Sequence, residues 1–147
     1  MHNLVDLHVH TNASDGDFPP RQIIKMAKNM GLPAIAITDH DSVQGLPEAL
    51  HYGLKLGVHV VPGIELSVDV DDTEVHLLGY LLNYKNSQLT ETLDELQQGR
   101  RVRLEKMVAK LKQMGYPLEL SRIRELIGVG NPGRLHIAQG LVEMGAV

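Results

Sequence analysis

Two histidines one residue apart, His8-Val9-His10, are the first group in the sequence that could do chemistry. Side chains two residues apart on a β-strand share a face, so both imidazoles can converge on one point. A hydrogen-bonded histidine pair at a strand end would read the same way in isolation. The pattern recurs, however. Thr38-Asp39-His40-Asp41 closes a second apolar run and Gly63-Ile64-Glu65 a third; Asp15 lies between the first two runs, and His76 follows Glu65. Packing has no use for ionisable groups at successive strand ends. Imidazoles joined by carboxylates, with no thiolate available, form a donor set for Zn2+, Mn2+ or Fe2+ rather than for a soft cation.

The elements that must position these groups alternate. Leu4 to Val9 reads as a short buried strand, and Pro19-Pro20 opens a helix whose apolar positions Ile23, Ile24, Ala27 and Met30 lead to a Gly31 cap. Ala34 to Thr38 is a second buried strand. A helix from about Val43 to Leu56 ends at Gly57, and Val58 to Pro62 is a third strand. Short strand-helix-strand connections imply parallel strands with right-handed crossovers, which place ligands at the carboxyl ends of the strands. Glu65 to Val70 and Glu74 to Leu82, joined by Asp71-Asp72-Thr73, read as a hairpin. The character changes near Asn86: Ser87 to Met114, Ser121 to Ile127 and Gly133 to Met144 follow helical spacing. The expected organisation is an α/β segment over 1–84 and an all-helical segment over 85–147.

Composition narrows the function classes. The 147 residues are 43% hydrophobic and 22% charged, values of a globular chain, with 3% aromatic residues and no tryptophan, so the core is aliphatic. No cysteine is present, which excludes disulfides, thiolate metal sites and a cysteine nucleophile. The net charge of −4 gives no global attraction to nucleic acid. No apolar run suits a membrane span, the N-terminus lacks a signal-like pattern, and a cytoplasmic location is expected. Of the remaining histidines, His59 is expected beneath or outside the site, His51 in mid-helix and His2 near a loose terminus. The basic run from Arg100 to Lys112 reads as the solvated face of a long helix, with a path for RNA as the alternative.

The motifs together resemble the PHP (polymerase and histidinol phosphatase) family. His8-Val9-His10-Thr11 with Ser14-Asp15-Gly16 is similar to its first motif, Thr38-Asp39-His40-Asp41 to the second and Pro62-Gly63-Ile64-Glu65 to the third, and His76 fits a further ligand position. Gly133-Arg134-Leu135-His136-Ile137-Ala138 resembles a segment of the small bacterial members that act on nucleoside 3′,5′-bisphosphates or trim short RNA from the 5′ end.

The resemblance implies the N-terminal part of a distorted (β/α)7 barrel, five strands with an all-helical insertion covering the site. It implies up to three divalent ions: His8, His10 and Glu65 on one, Glu65 bridging to a second with His76, and Asp15 with His40 on the third. A metal-bound hydroxide would then hydrolyse a phosphate ester of a nucleotide or short RNA. Asp39 would orient a ligand imidazole, although a helix N-cap is the alternative for it, with Asp41 or Ser42 equally placed. Arg134 would bind phosphate, and His136 would touch substrate or serve helix packing. The family pattern carries further ligands beyond Val147, which implies a fragment, a barrel completed by a second copy, or a naturally short relative. The competing functions are a histidinol-phosphate phosphatase or polymerase-associated enzyme, and a catalytically incomplete metal-binding or interaction module.

Overall fold

The computed structural model describes residues 4–71 and 73–147. His2 and Asp72 lie outside the described residues. The elements run β1 (Asp6–Val9), α1 (Pro20–Asn29), β2 (Ala34–Ile37), α2 (Leu46–Leu56), β3 (His59–Val70), β4 (Thr73–Tyr80), α3 (Ser87–Gln113), α4 (Leu120–Ile127) and α5 (Arg134–Glu143). Helix boundaries follow local chemistry. Pro20 sits in the first turn of α1, Gly57 takes φ +71° to close α2, and the Asn86 side chain accepts from Leu89 N to start α3.

The four strands form one sheet in the order β1-β2-β3-β4. β1, β2 and the start of β3 are parallel, as the alternating pattern requires, with Ala34 opposite His59 and Ile37 opposite Pro62. From Gly63 onward β3 pairs antiparallel with β4, Glu65 opposite Leu78 and Ser67 opposite His76. The expected third strand and first hairpin arm are therefore one strand of 12 residues, and among the described residues the sheet has four strands rather than five. Pro62-Gly63 reads as a break in sequence. Here it is where β3 changes partners, a place that tolerates a residue without an N–H.

The sheet curls into a half-barrel. Tyr80 on β4 donates its hydroxyl to the Leu7 carbonyl on β1, the opposite edge, at 2.8 Å. β1 is not buried as expected: Leu7 is 44% exposed, because an edge strand has a neighbour on one side only. α1 and α2 pack on the parallel part around Ile24, Ile35, Ile37, Leu46, Ala49 and Ile64. α3 then joins two cores. Leu93, with Leu89 and Leu96, belongs to the first, whereas Leu104 and Val108 build a second with Leu118, Ile123 and Ile137. Among the described residues no helix is long and apolar enough to cross a membrane.

Candidate metal centre

The carboxyl ends of β1, β2 and β3 meet at Glu65. Its carboxylate is buried, with Oε2 lying 2.9 Å from His8 Nε2, 2.7 Å from His10 Nε2 and 3.6 Å from His40 Nε2, while Oε1 lies 2.8 Å from His76 Nδ1. His10 Nδ1 reaches Asp15 Oδ1 at 2.8 Å. Donor atoms of His8, His10 and Glu65 lie within 4.8 Å of one another, as do those of His10, Asp15 and His40, and those of His40, Glu65 and His76. All six side chains singled out from the sequence are thus in one cluster of three overlapping groups. His51 and His59 are exposed and outside it.

Each donor is delivered by a local device. The pleat puts His8 and His10 on one face, although not equally deep: His8 is 49% exposed, His10 21%. Asp15 comes back onto His10 because the segment after β1 folds on itself, with Ser14 N and Gly16 N both donating to the Thr11 carbonyl. A Cβ at Gly16 would stand 2.7 Å from the His10 carbonyl oxygen, so only glycine permits this closure. Glu65 N donates to the Asp39 carbonyl and Asp41 N to the Glu65 carbonyl, which ties the ends of β2 and β3 together.

Asp39 has a different task from the one expected. Its carboxylate accepts from Thr11 N at 2.6 Å and from the Thr11 and Ser14 hydroxyls at 2.8 Å each, rather than from an imidazole. It holds the segment that carries Asp15. Nor does Asp39, Asp41 or Ser42 cap α2; the N-cap is Gly45, and Ser42 Oγ accepts from Gln44 N in a preceding turn.

Electrostatics in the cluster are those of protons shared between imidazoles and carboxylates. Burial opposes ionisation of Asp15, but the hydrogen bond from His10 and the charges of His40 and His10 outweigh it and hold the carboxyl at about 2, against an ordinary 3.8. Burial likewise pushes His10 down, and its partners Asp15 and Glu65 overcome this to raise it. Glu65 is lowered despite its burial, by the hydrogen bond from His8 and the charges of His40 and His10. His40 is lowered by burial and by the Arg100 charge.

This donor set fits a divalent cation. Among the described residues His10 Nε2 and His40 Nδ1 are buried without a hydrogen-bond partner; the short approach of His10 Nε2 to Glu65 lacks hydrogen-bonding geometry. Orphaned buried ring nitrogens are costly unless something else satisfies them. One carboxylate also cannot serve four imidazoles, and a cation that takes these ligands displaces their protons.

At the rim, Glu74 gathers positive charge. Arg134 engages it through two parallel bonds of 2.9 and 2.8 Å, Arg103 Nη1 lies at 2.7 Å, and His76 Nε2 at 3.2 Å. Led by the Arg134 bonds, these partners lower Glu74 to about 2 from an ordinary 4.5. Arg134 is 63% exposed. His136 is buried, and its Nδ1 accepts from Gly133 N at 3.1 Å, which leaves Nε2 as its other proton site. A cavity of about 400 Å3 opens beside Asp15 and is bordered by Asn12, Ser14, His136 and Gln139.

One functional candidate was hidden by composition. Arg100 is not on a solvated face; it is 8% exposed and ion-paired with Asp41. Arg101, Lys106, Lys110 and Lys112 are exposed, as their run suggests. The signal that separates Arg100 from them is spacing: Leu93, Gln97, Arg100, Leu104 and Val108 form the buried stripe of α3, and two of its positions are polar.

Comparison with known proteins follows the same motifs. Residues 6–99 match the sequence model of the PHP domain. A 5′-3′ exoribonuclease of Haemophilus influenzae is 29% identical over 97% of this chain and 52% of its own length. A 3′,5′-nucleoside bisphosphate phosphatase of Chromobacterium violaceum is 31% identical over 97% of this chain and 50% of its own. A crystal structure assigned to a metal-dependent phosphoesterase of Bifidobacterium adolescentis superposes with a TM-score of 0.90 at 29% identity, covering 97% of this chain and 51% of that one. The chain spans about half the length of the curated relatives it matches.

Proposed function

Since this chain belongs to the PHP-domain family, we propose that it carries metal-binding motifs of a phosphoesterase acting on nucleotides or short RNA. The observation that carries the reading is the convergence of His8, His10, Asp15, His40, Glu65 and His76 on overlapping donor groups centred on one buried carboxylate. His8, His10 and Glu65 would hold one divalent cation, Glu65 and His76 a second, and Asp15 with His40 a third; Mn2+, Zn2+ and Fe2+ all suit these ligands. Bound there, divalent ions supply Lewis acidity, which acidifies water and offsets charge on phosphate oxygens.

The chain's own residues do the rest. Arg134 binds substrate phosphate by exchanging Glu74 for it, since carboxylate and phosphate accept the same two-pronged guanidinium contact. His136, with Nδ1 already occupied by Gly133 N, presents Nε2–H as a donor to a phosphate oxygen or hydroxyl. The cavity beside Asp15 has room for a nucleoside. The names of two relatives, an exoribonuclease and a nucleoside bisphosphate phosphatase, support a nucleotide-directed reading over histidinol phosphate. Exposed apolar side chains on the edge strands, Leu7 and Leu77 among them, suit a surface covered by further chain or by a second copy.

The test is Mn2+-dependent phosphate release from adenosine 3′,5′-bisphosphate by the wild-type chain and by His10→Ala. Turnover that disappears in the variant supports the reading. Preference for histidinol phosphate would move the chain to that branch, and bound metal without turnover on any phosphate ester would make it a metal-binding module.

A further inference from the structure

We propose that Arg100 is a positioning residue for the metal centre, one guanidinium that fixes the His40 loop and aligns it with the Glu65 strand and the Arg134 loop; this rests on the metal-binding reading above. His40 needs such support more than the other donors. A metal-binding imidazole is ordinarily oriented by an acceptor on its second ring nitrogen. Among the described residues neither ring nitrogen of His40 has a hydrogen-bond partner, Nε2 lying 3.6 Å from Glu65 Oε2, so whichever nitrogen faces a cation the ring is only as well placed as its backbone.

That backbone is irregular and held from outside. Asp41, the next residue, has φ +45°, a left-handed conformation that a non-glycine residue keeps where surrounding contacts impose it. The contacts come from the helical part of the chain. Arg100 Nε donates to Asp41 Oδ2, Gln97 Nε2 donates to the Asp41 carbonyl at 3.0 Å, and Asn131 Nδ2 donates to the His40 carbonyl at 2.8 Å.

Arg100 alone reaches three segments. Besides Asp41, its Nη2 donates to Ser67 Oγ on β3, two residues from Glu65, and its Nη1 to the Pro132 carbonyl at 3.3 Å, two residues from Arg134. Ser67 N closes the circuit by donating to Asp41 Oδ1 at 3.0 Å. The rigid fork of a guanidinium sets the three segments at fixed relative positions; an ammonium has neither that geometry nor enough reach to replace it. Among the described residues Arg100, Asp41 and Ser67 make no hydrogen bond or ion pair with a candidate ligand atom, so beyond the charge Arg100 places near His40 its influence on the centre runs through backbone placement.

The experiment compares wild type, Arg100→Lys and Arg100→Ala in two readouts. Mn2+ titration calorimetry is expected to show affinity weaker by about tenfold or more in both variants, partly restored in Arg100→Ala by added guanidinium ion. Amide hydrogen exchange on the metal-free chain is expected to show Asp41 and Ser67 exchanging about tenfold faster or more, with Ile24 and Ala27 of α1 unchanged. Exchange that rises equally in α1 would make Arg100 a general support and overturn the proposal, as would wild-type affinity and exchange in both variants. Should the wild-type chain bind no Mn2+, the phosphoesterase reading fails, and the exchange pattern alone still decides whether Arg100 fixes the loop.

Discussion

The two cores that share α3 are built alike and used differently. The first, under the half-barrel, buries aliphatic side chains and, at its strand ends, Thr11, Ser14, Thr38, Asp39, Asp41 and Glu65. The second, around Ile123, is closed by apolar side chains, while ion pairs such as Arg122 with Glu143 and Arg124 with Glu105 stay on its exposed surface. Buried polar groups are costly unless each is satisfied. The first region accepts that cost where its strand ends assemble donors, whereas the second supplies mass, reach and the few groups that touch the first. Gln97 and Arg100 lie on α3 at the junction between them.

Substitutions in the two cores separate these roles most sharply. Ile24→Ala and Ile123→Ala, both at fully buried positions, are each expected to destabilise the chain by about 2–5 kcal/mol in denaturant unfolding. Among molecules still folded, the first is expected to lower Mn2+ affinity and the second to leave it near wild type. Equal loss of metal in both would erase the distinction.

Asp39→Asn is the next largest effect. An amide cannot accept from Thr11 N, Thr11 Oγ1 and Ser14 Oγ together while orienting its own N–H2 group, so a buried donor is left unpaired at about 1–3 kcal/mol. The expected signature in a denaturant melt is that destabilisation, with Ser14 and Gly16 amides losing exchange protection and α4 and α5 keeping theirs.

The smallest effect is on pH dependence, and it too belongs to the first region. Asp15 and Glu74 are held at about 2 from ordinary values of 3.8 and 4.5, so the stability they contribute is present above those values and lost as pH falls toward 2. His10 is raised, so its contribution is present below its ordinary 6.5 and lost as pH climbs through the raised value. His40 and His136 are lowered, so their contribution is present above 6.5 and shrinks as pH falls below it. Thermal melts of the metal-free chain are therefore expected to lose stability on the acid side in two stages, below 6.5 and again below about 4.5, and on the basic side as pH climbs through the raised His10 value. Asp15→Asn should flatten the acid limb, and an unchanged limb would show that its partners do not favour the ionised carboxyl.

How much of this was legible in the sequence depends on whether an interaction is local. His8 and His10 announce themselves by strand periodicity, and His40 and Glu65 by their place after apolar runs, because a parallel sheet fixes where such ends fall. The long β3 was concealed because Pro62-Gly63 looks like a terminator when neighbouring strands are unknown. β1 looked buried because its aliphatic composition carries no mark of being an edge. Asp39 has the same residue type as a cap or an imidazole partner; only the fold of 10–16 shows which donors reach it. Arg100 sat in a basic run, and its burial depends on Asp41, fifty-nine residues earlier in the chain. Its position on the stripe of Leu93, Leu104 and Val108 was the available clue.

The central claim is that these strand ends form a metal centre, and elemental analysis tests it most directly. The wild-type chain and the His8→Ala/His10→Ala variant would be purified after expression with Mn2+ and measured for bound metal per chain. The account predicts at least one divalent ion per wild-type chain and a marked loss in the variant, with both proteins folded by circular dichroism. No metal in the wild type, or the same content in both, would contradict it.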